Sequence, residues 1–262
     1  MLLKTIPRYK GVLKSQRSHL DKYAALFQEE VSTHILNPLT VTLGEPITDV
    51  QLTQREFTPP FEFGDVSKSE MQPLIKVDQS FVDPETGILV HDLRFRHNDD
   101  GWFNWGGDPF GWSEQHCRIG VNFRVPETGF VDFNVVIQNL YNKISYSVSD
   151  NFGFSDATLQ IFHSLIVRVV RVGSGQRFGT ETEMVTAGIV SFGEEYSFST
   201  SQIQNSTPFT LSFRNEDAYL KGEQLRVEVV SRIYIRSSVN DMQTHVDAVI
   251  AWQLKKILVS MV

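Results

Sequence analysis

Apolar and polar residues alternate along much of the second half of the chain. The alternation is strict over residues 118–125, where every second residue is apolar, and it recurs over residues 225–236. A period of two places the apolar side chains on one face of a β-strand and the polar ones on the other. Both segments are therefore predicted to be strands with one buried and one solvated face.

Shorter or less regular segments extend this pattern to the rest of the chain. Further strands are predicted at residues 40–43, 47–52, 74–77, 88–96, 130–140, 159–172, 183–190, 196–200 and 209–214. Turn sequences such as Asp83–Gly87, Pro126–Gly129 and Gly173–Gly179 separate several of them. Many short strands without intervening helices predict an all-β protein, an antiparallel β-sandwich that is jelly-roll-like.

Residues 243–259 fit two periods. Their apolar residues alternate from Val246 to Leu254, as in a strand, yet several of them also recur at helical spacing. A strand is favoured because Asn240–Asp241, just before this segment, is a suitable hairpin turn.

The N-terminal region differs from the rest. Residues 1–17 are predicted to be an extended arm, and residues 18–36 a helix that packs on the body. Ser18 is a suitable N-cap for this helix, whose apolar residues follow at helical spacing until Asn37–Pro38 ends it. The remaining residues, 38–262, are predicted to form a single β-sandwich domain.

Charge is concentrated in that arm. Six of the chain's 24 basic residues lie in the first 22 positions with one acid, whereas the whole chain has a formal charge of −7. The predicted assembly residues of the arm are Lys4, Arg8, Lys10, Lys14 and Arg17. A basic arm on an acidic body is suited to docking on a neighbouring subunit, an acidic surface or, less favoured, nucleic acid, and a solvated terminus fits the same pattern. The acidic balance makes broad nucleic-acid binding an unfavoured function.

Composition is that of an ordinary globular protein. The chain has 262 residues, 41% of them hydrophobic, and one cysteine, so no intrachain disulfide can form. No apolar run approaches the roughly 18 residues that span a bilayer. The N-terminus lacks the apolar segment of a secretory signal peptide, so we expect synthesis in the cytoplasm, whereas the final location of the chain and its place in a larger assembly stay open.

Three of the four tryptophans lie within residues 97–116, a segment that mixes aromatic residues with Gly, Asn, Asp and Pro and is predicted to be a loop. Exposed rings beside polar acceptors suit a sugar or another small ligand, and tryptophan also suits a protein contact. A third possibility is that the rings cover the end of the core. The candidate ligand-binding residues are Trp102, Trp105, Trp112, Asp99, Asp100, Asn104 and Asp108.

Metal binding and catalysis have little support. The aspartates of this loop lack EF-hand spacing, and the histidines at 91, 97 and 116 lack zinc-site spacing, so they are interpreted as surface residues. No metal or other cofactor is predicted. Glu181/Glu183 and Glu194–Glu195 are carboxylate pairs of the kind that glycoside hydrolysis uses, but acidic β proteins commonly contain such pairs. We therefore expect a non-enzymatic protein, with a carboxylate-based hydrolase as the alternative.

Two functions fit these features. The first is a β-sandwich subunit that self-assembles, or docks on a protein partner, through its N-terminal arm. The second is a recognition module, with a toxin-like protein as one variant, that binds a glycan or a cell-surface ligand through residues 97–116. The sequence leaves the ligand, the oligomeric state, the biological source and the exposure of this aromatic loop open.

Overall fold

The computed structural model describes residues 54–71, 74–98, 110–150, 156–192, 195–199, 203–204, 207–240 and 242–261. The predicted arm, the helix at 18–36 and residues 99–109 of the aromatic loop lie outside these ranges. The chain divides into a unit of residues 1–50 and a unit of residues 51–262, and the description below concerns the second. Every regular element in the described ranges is a β-strand, so they hold no helix able to cross a membrane.

Fourteen strands are described. They are β1 (Gln54–Phe57), β2 (Phe63–Met71), β3 (Leu74–Asp78), β4 (Phe81–Asp83), β5 (Ile88–Asn98), β6 (Phe110–Arg124), β7 (Val131–Asp150), β8 (Asp156–Arg171), β9 (Arg177–Phe192), β10 (Tyr196–Ser199), β11 (Ile203–Gln204), β12 (Phe209–Arg214), β13 (Gln224–Asn240) and β14 (Met242–Met261). All of their pairings are antiparallel.

The strands form two sheets. Sheet 1 has the order β10-β7-β14-β5-β3, with β1 beside β14, β4 beside β5, and β11 and β12 beside β7. Sheet 2 has the order β2-β6-β13-β8-β9. The chain changes sheet at each step from β5 to β8 and again at each step from β12 to β14. The last two strands lie in the middle of these orders, β13 in sheet 2 and β14 in sheet 1.

A large hydrophobic core lies between the inner faces of the two sheets. It includes Phe133 and Ile250 from sheet 1 and Ile161 and Val229 from sheet 2, all essentially inaccessible to solvent. A second, smaller buried cluster is formed by Val148, Ala157, Val239 and Met242. Residues in β5 and β14 alternate between buried and partly exposed, as a strand with one face on a core requires. The prediction of an all-β protein with antiparallel sheets is confirmed, and residues 243–259 are a strand.

Two sequence interpretations were wrong. The segment 97–116 was predicted to be a loop, but both of its ends are strands. His97 belongs to β5, and β6 begins at Phe110. The inward-facing residues there include Ser113 and Gln115, which are buried although they are polar, so the hydrophobic alternation that marks a strand is missing. His91 and His97, which were interpreted as surface residues, are also buried, because core side chains bind their ring nitrogens.

Candidate functional site

The outer face of sheet 2 carries three aromatic rings side by side, which we call the aromatic row. The ring of Tyr234 on β13 lies 6.3 Å from that of Trp112 on β6 and 6.1 Å from that of Phe162 on β8, measured between centroids. All three side chains are partly exposed. The row runs across three neighbouring strands, and its rings are tilted by 36° and 31° relative to each other.

Strand periodicity and register explain why these rings meet. In this part of sheet 2 the even-numbered residues of β6, β8 and β13 point outward, while their odd-numbered neighbours enter the core. Register places Tyr234 directly opposite Phe162 on β8, and Trp112 lies two residues along β6 from the partner of Tyr234 on that strand. Cross-strand aromatic pairs of this kind also stabilise the sheet.

A charged network lies beside the aromatic row. The Arg232 side chain donates from Nε to Glu114 Oε1 at 2.5 Å and from Nη1 to Glu181 Oε1 at 3.0 Å. The Ser164 hydroxyl donates to the same Glu181 oxygen at 2.5 Å. The guanidinium carbon lies 5.9 Å from the ring centroid of Tyr234. These contacts hold Arg232 in one orientation at the edge of the row.

His116 completes the network on β6. Its Nε2 lies 3.2 Å from Glu114 Oε1, the oxygen that also accepts from Arg232. Partial burial lowers the pKa of His116, and this outweighs the opposing influence of Glu114. The imidazole is therefore mostly neutral near pH 7.

A cleft of about 370 Å³ opens between the row and the network. The residues that line it are Phe162, Ser164, Glu181, Glu183, Arg232 and Tyr234. It combines flat apolar surface with a hydroxyl, carboxylate acceptors and a guanidinium donor. A ligand with apolar ring faces and many hydroxyl groups fits such a surface, since both kinds of group meet partners there.

Comparisons with known proteins identify no family for this chain. No family model and no curated protein matches it. Among solved structures, TmCBM61 in complex with β-1,4-galactotriose aligns at 11% identity over 70% of this chain and 88% of its own, with a TM-score of 0.17. The enzymatically active domain of tailspike protein 4 of bacteriophage CBA120 aligns at 8% identity over 73% of this chain and 19% of its own, with a TM-score of 0.18. At these TM-scores neither likeness bears on the function.

The structure describes one of the predicted ligand-binding residues. Trp112 lies in the aromatic row, on a strand rather than in a loop. The other six, Asp99, Asp100, Trp102, Asn104, Trp105 and Asp108, lie outside the described residues, as do the five basic residues of the arm. Within the described ranges no three His, Cys, Asp or Glu side chains converge on a possible metal position.

The site also contains residues that the sequence analysis did not select. Tyr234, Phe162, Glu114 and Arg232 were not among the candidate residues. The available signal was an aromatic residue at an outward position of a predicted strand, as at Tyr234. Such a position exposes a large ring that the core does not require.

The inner side of the same strands carries a buried polar cluster. His163 Nε2 lies 2.9 Å from Ser231 Oγ, which lies 3.0 Å from His91 Nε2, and His91 Nδ1 lies 2.7 Å from Gln115 Oε1. With both histidines neutral, His163 donates to Ser231, Ser231 donates to His91, and His91 donates to Gln115. The Gln115 amide then donates to both carboxylate oxygens of Asp78 at 2.9 Å.

Burial controls the ionisation of this cluster. It lowers the pKa of His91 to about 4 and lowers that of His163 well below the ordinary value for histidine. It also raises the pKa of the nearby Cys117 thiol to about 12. Cys117 is therefore a neutral core residue, and it lies on the opposite side of β6 from His116.

Sheet 1 has a second cleft on its outer face. Its volume is about 300 Å³, and it is lined by Ser145, Tyr146, Ser147, Ser197, Phe198, Ser199, His245 and Asp247. The rings of Tyr146 and Phe198 pack on each other with their centroids 5.2 Å apart, and Tyr146 is largely buried. This cleft therefore offers mainly hydroxyl groups, whereas the cleft on sheet 2 offers a row of rings.

Proposed function

We propose that this chain is a non-enzymatic carbohydrate-binding protein that holds a glycan on the aromatic row of sheet 2. The observation that carries the proposal is the row itself, three partly exposed rings beside an ordered network of donors and acceptors. The C–H faces of sugar rings pack on the aromatic faces. The hydroxyl groups of the sugars find partners in Glu181, Glu183, Ser164 and Arg232.

The strand order supports a jelly-roll fold. Successive strands exchange between two sheets, and the last two strands fill the middle of each sheet. Jelly rolls include lectin domains and subunits of viral capsids, so the fold alone does not choose between recognition and assembly. The chemistry of the outer face favours recognition.

The arrangement of the carboxylates supports binding without catalysis. Glycoside hydrolysis requires two carboxyl groups that face the scissile bond, one of them free to deliver a proton. Arg232 donates hydrogen bonds to the carboxylates of Glu114 and Glu181, and Ser164 donates to Glu181 as well. Two of the three carboxylates near the cleft are thus committed to holding the guanidinium.

Replacement of a ring should weaken binding without unfolding the chain. In Trp112→Ala and Tyr234→Ala, we expect about tenfold to hundredfold weaker binding, since each removes one stacking surface from the row. Binding is measured by screening a glycan array and then titrating the best oligosaccharide while following tryptophan fluorescence or heat. Circular dichroism checks that each variant is folded.

Phe81→Ala is the matched control. Phe81 is 49% exposed and lies on β4 in sheet 1, away from the row, so its removal should leave affinity unchanged. Two outcomes would overturn the proposal. One is that the wild-type protein binds no glycan of the array, and the other is that both folded row variants bind as tightly as wild type.

A second candidate function is self-assembly through the N-terminal arm. The first 22 residues hold six basic residues and one acid, which leaves 18 basic and 30 acidic residues, a formal charge of −12, for the rest of the chain. Such opposite charges favour docking of the arm of one copy on the body of another.

Deletion of residues 1–17 tests this second candidate. Light scattering coupled to size-exclusion chromatography should give an oligomer for the full chain and a monomer for the deletion variant, and raised salt should weaken the oligomer. A full chain that is monomeric at every concentration tested would contradict self-assembly.

A further inference from the structure

Carboxylates exceed cations in the cleft beside the aromatic row. Glu181 and Glu183 lie two residues apart on β9, the outermost strand of sheet 2 on that side. Register places Glu183 opposite Ser164 and Glu181 opposite Ile166, so both side chains project from the outer face of the sheet. Both residues are exposed and line the cleft.

Arg232, the only cationic side chain that lines the cleft among the described residues, already pairs with two carboxylates. Arg232 binds Glu114 and Glu181, and no cationic side chain of the described residues pairs with Glu183. His116 is mostly neutral near pH 7, because burial lowers its pKa. Two carboxylates and one guanidinium therefore line the cleft, and among the described residues Glu183 is the lining carboxylate that no salt bridge pairs with a cation.

The rings of the cleft suit the same kind of ligand group. Phe162 and Tyr234 line it together with Glu183, and the electron-rich face of an aromatic ring attracts a cation. An ammonium group placed here would meet a carboxylate on one side and a ring on the other. Sulfate or uronate groups would meet like charge instead, which disfavours their binding.

We propose that the cleft selects glycans whose sugar units carry free amino groups, with one ammonium group bound by Glu183 against the Phe162 ring. This inference rests on the proposed carbohydrate-binding function and adds the chemical class of the ligand. Glu183 is the specificity-determining residue, the aromatic row supplies affinity common to all glycans, and the network around Arg232 keeps the cleft in shape.

The test compares three β-1,4-linked hexamers that differ in one substituent. They are the hexamers of glucosamine, N-acetylglucosamine and glucose, titrated calorimetrically at about pH 6, where most amino groups of the glucosamine hexamer are protonated. We expect the glucosamine hexamer to bind about tenfold more tightly than the other two, the difference of a single charge-assisted contact. Glu183→Gln should remove this preference and keep the affinity for the neutral hexamers.

Glu127→Gln is the control, because it removes one exposed carboxylate from the turn after β6 and leaves the cleft intact. It should keep the preference, which separates a local contact from attraction between an acidic protein and a cationic chain. Equal binding of all three hexamers, or a preference that survives in Glu183→Gln, overturns this inference and leaves the proposed function standing. Binding of none of the hexamers, together with an array on which no glycan binds, overturns both.

Discussion

Acidification from pH 7 to about pH 4 is expected to destabilise the folded chain by about 3 kcal/mol through His91 alone, with His163 adding to the loss. Both imidazoles are fully buried between the sheets. Protonation of either would place a charge in the core, and neither lies in direct contact with a carboxylate in the described cluster.

The direction of the effect follows from where each state binds protons. The unfolded chain takes up a proton on His91 near pH 6.5, whereas the folded chain does so only near pH 4. Stability is therefore fully present above about pH 6.5 and falls as the pH drops towards 4. Asp78 opposes this shift and His116 adds to it, but both act less strongly than burial.

Hydrogen bonding gives the same direction. With both histidines neutral, the series of hydrogen bonds from His163 through Ser231 and His91 to Gln115 uses each donor once. A second proton on His163 would lie on Nδ1, which has no partner among the described residues. A buried donor left without an acceptor costs further free energy.

Urea denaturation at pH 7 and at pH 5 measures this dependence. His91→Gln should be less stable than wild type at pH 7 but should lose less stability between the two pH values. His245→Gln, which removes an imidazole from the outer face of sheet 1, serves as the control and should retain the wild-type loss. A wild-type midpoint that is the same at both pH values would show that the histidines are not buried in the neutral form.

Trp252→Ala is expected to lower the free energy of unfolding by about 3–5 kcal/mol, the range for truncation of a buried aromatic residue. Trp252 lies on β14 in the middle of sheet 1 and is 2% exposed. Its ring stacks on His163 of sheet 2 at 5.8 Å and meets the edge of Phe209 at 5.9 Å. The substitution leaves a cavity where the two sheets meet.

Trp252→Phe and Trp112→Ala are the comparisons. The first keeps an aromatic ring in the core and should cost less than half as much as the truncation. The second removes a tryptophan from the partly exposed outer face and should also cost less. Chemical denaturation with a fluorescence or circular dichroism signal measures all three, and a loss below about 1 kcal/mol in Trp252→Ala would contradict this account of the core.

Sequence patterning predicts strands well where the inner face is apolar. Residues 118–124 form the last part of β6, which ends one residue before Val125, and residues 225–236 lie within β13, as the alternation indicated. The start of β6 was not predicted, because the inward-facing residues Ser113 and Gln115 are polar and their burial depends on partners from distant strands. A binary pattern contains no information about those partners.

The candidate site shows a similar division. Composition alone drew attention to Trp112, because tryptophan is uncommon beside so many turn residues. The neighbours of Trp112 in the aromatic row, Tyr234 and Phe162, are far away in the sequence and meet it only through the pairing of β6, β13 and β8. That register follows from the whole sheet and could not be derived from local sequence.

The buried histidine cluster and the outer cleft lie on opposite sides of the same strands. On β13, Ser231 directly precedes Arg232, and on β8, His163 directly precedes Ser164. A ligand that binds only the folded chain and protons that favour the unfolded chain therefore compete through one equilibrium. If the chain binds an oligosaccharide as proposed, the bound oligosaccharide should shift acid unfolding to a lower pH, although the core histidines never touch it.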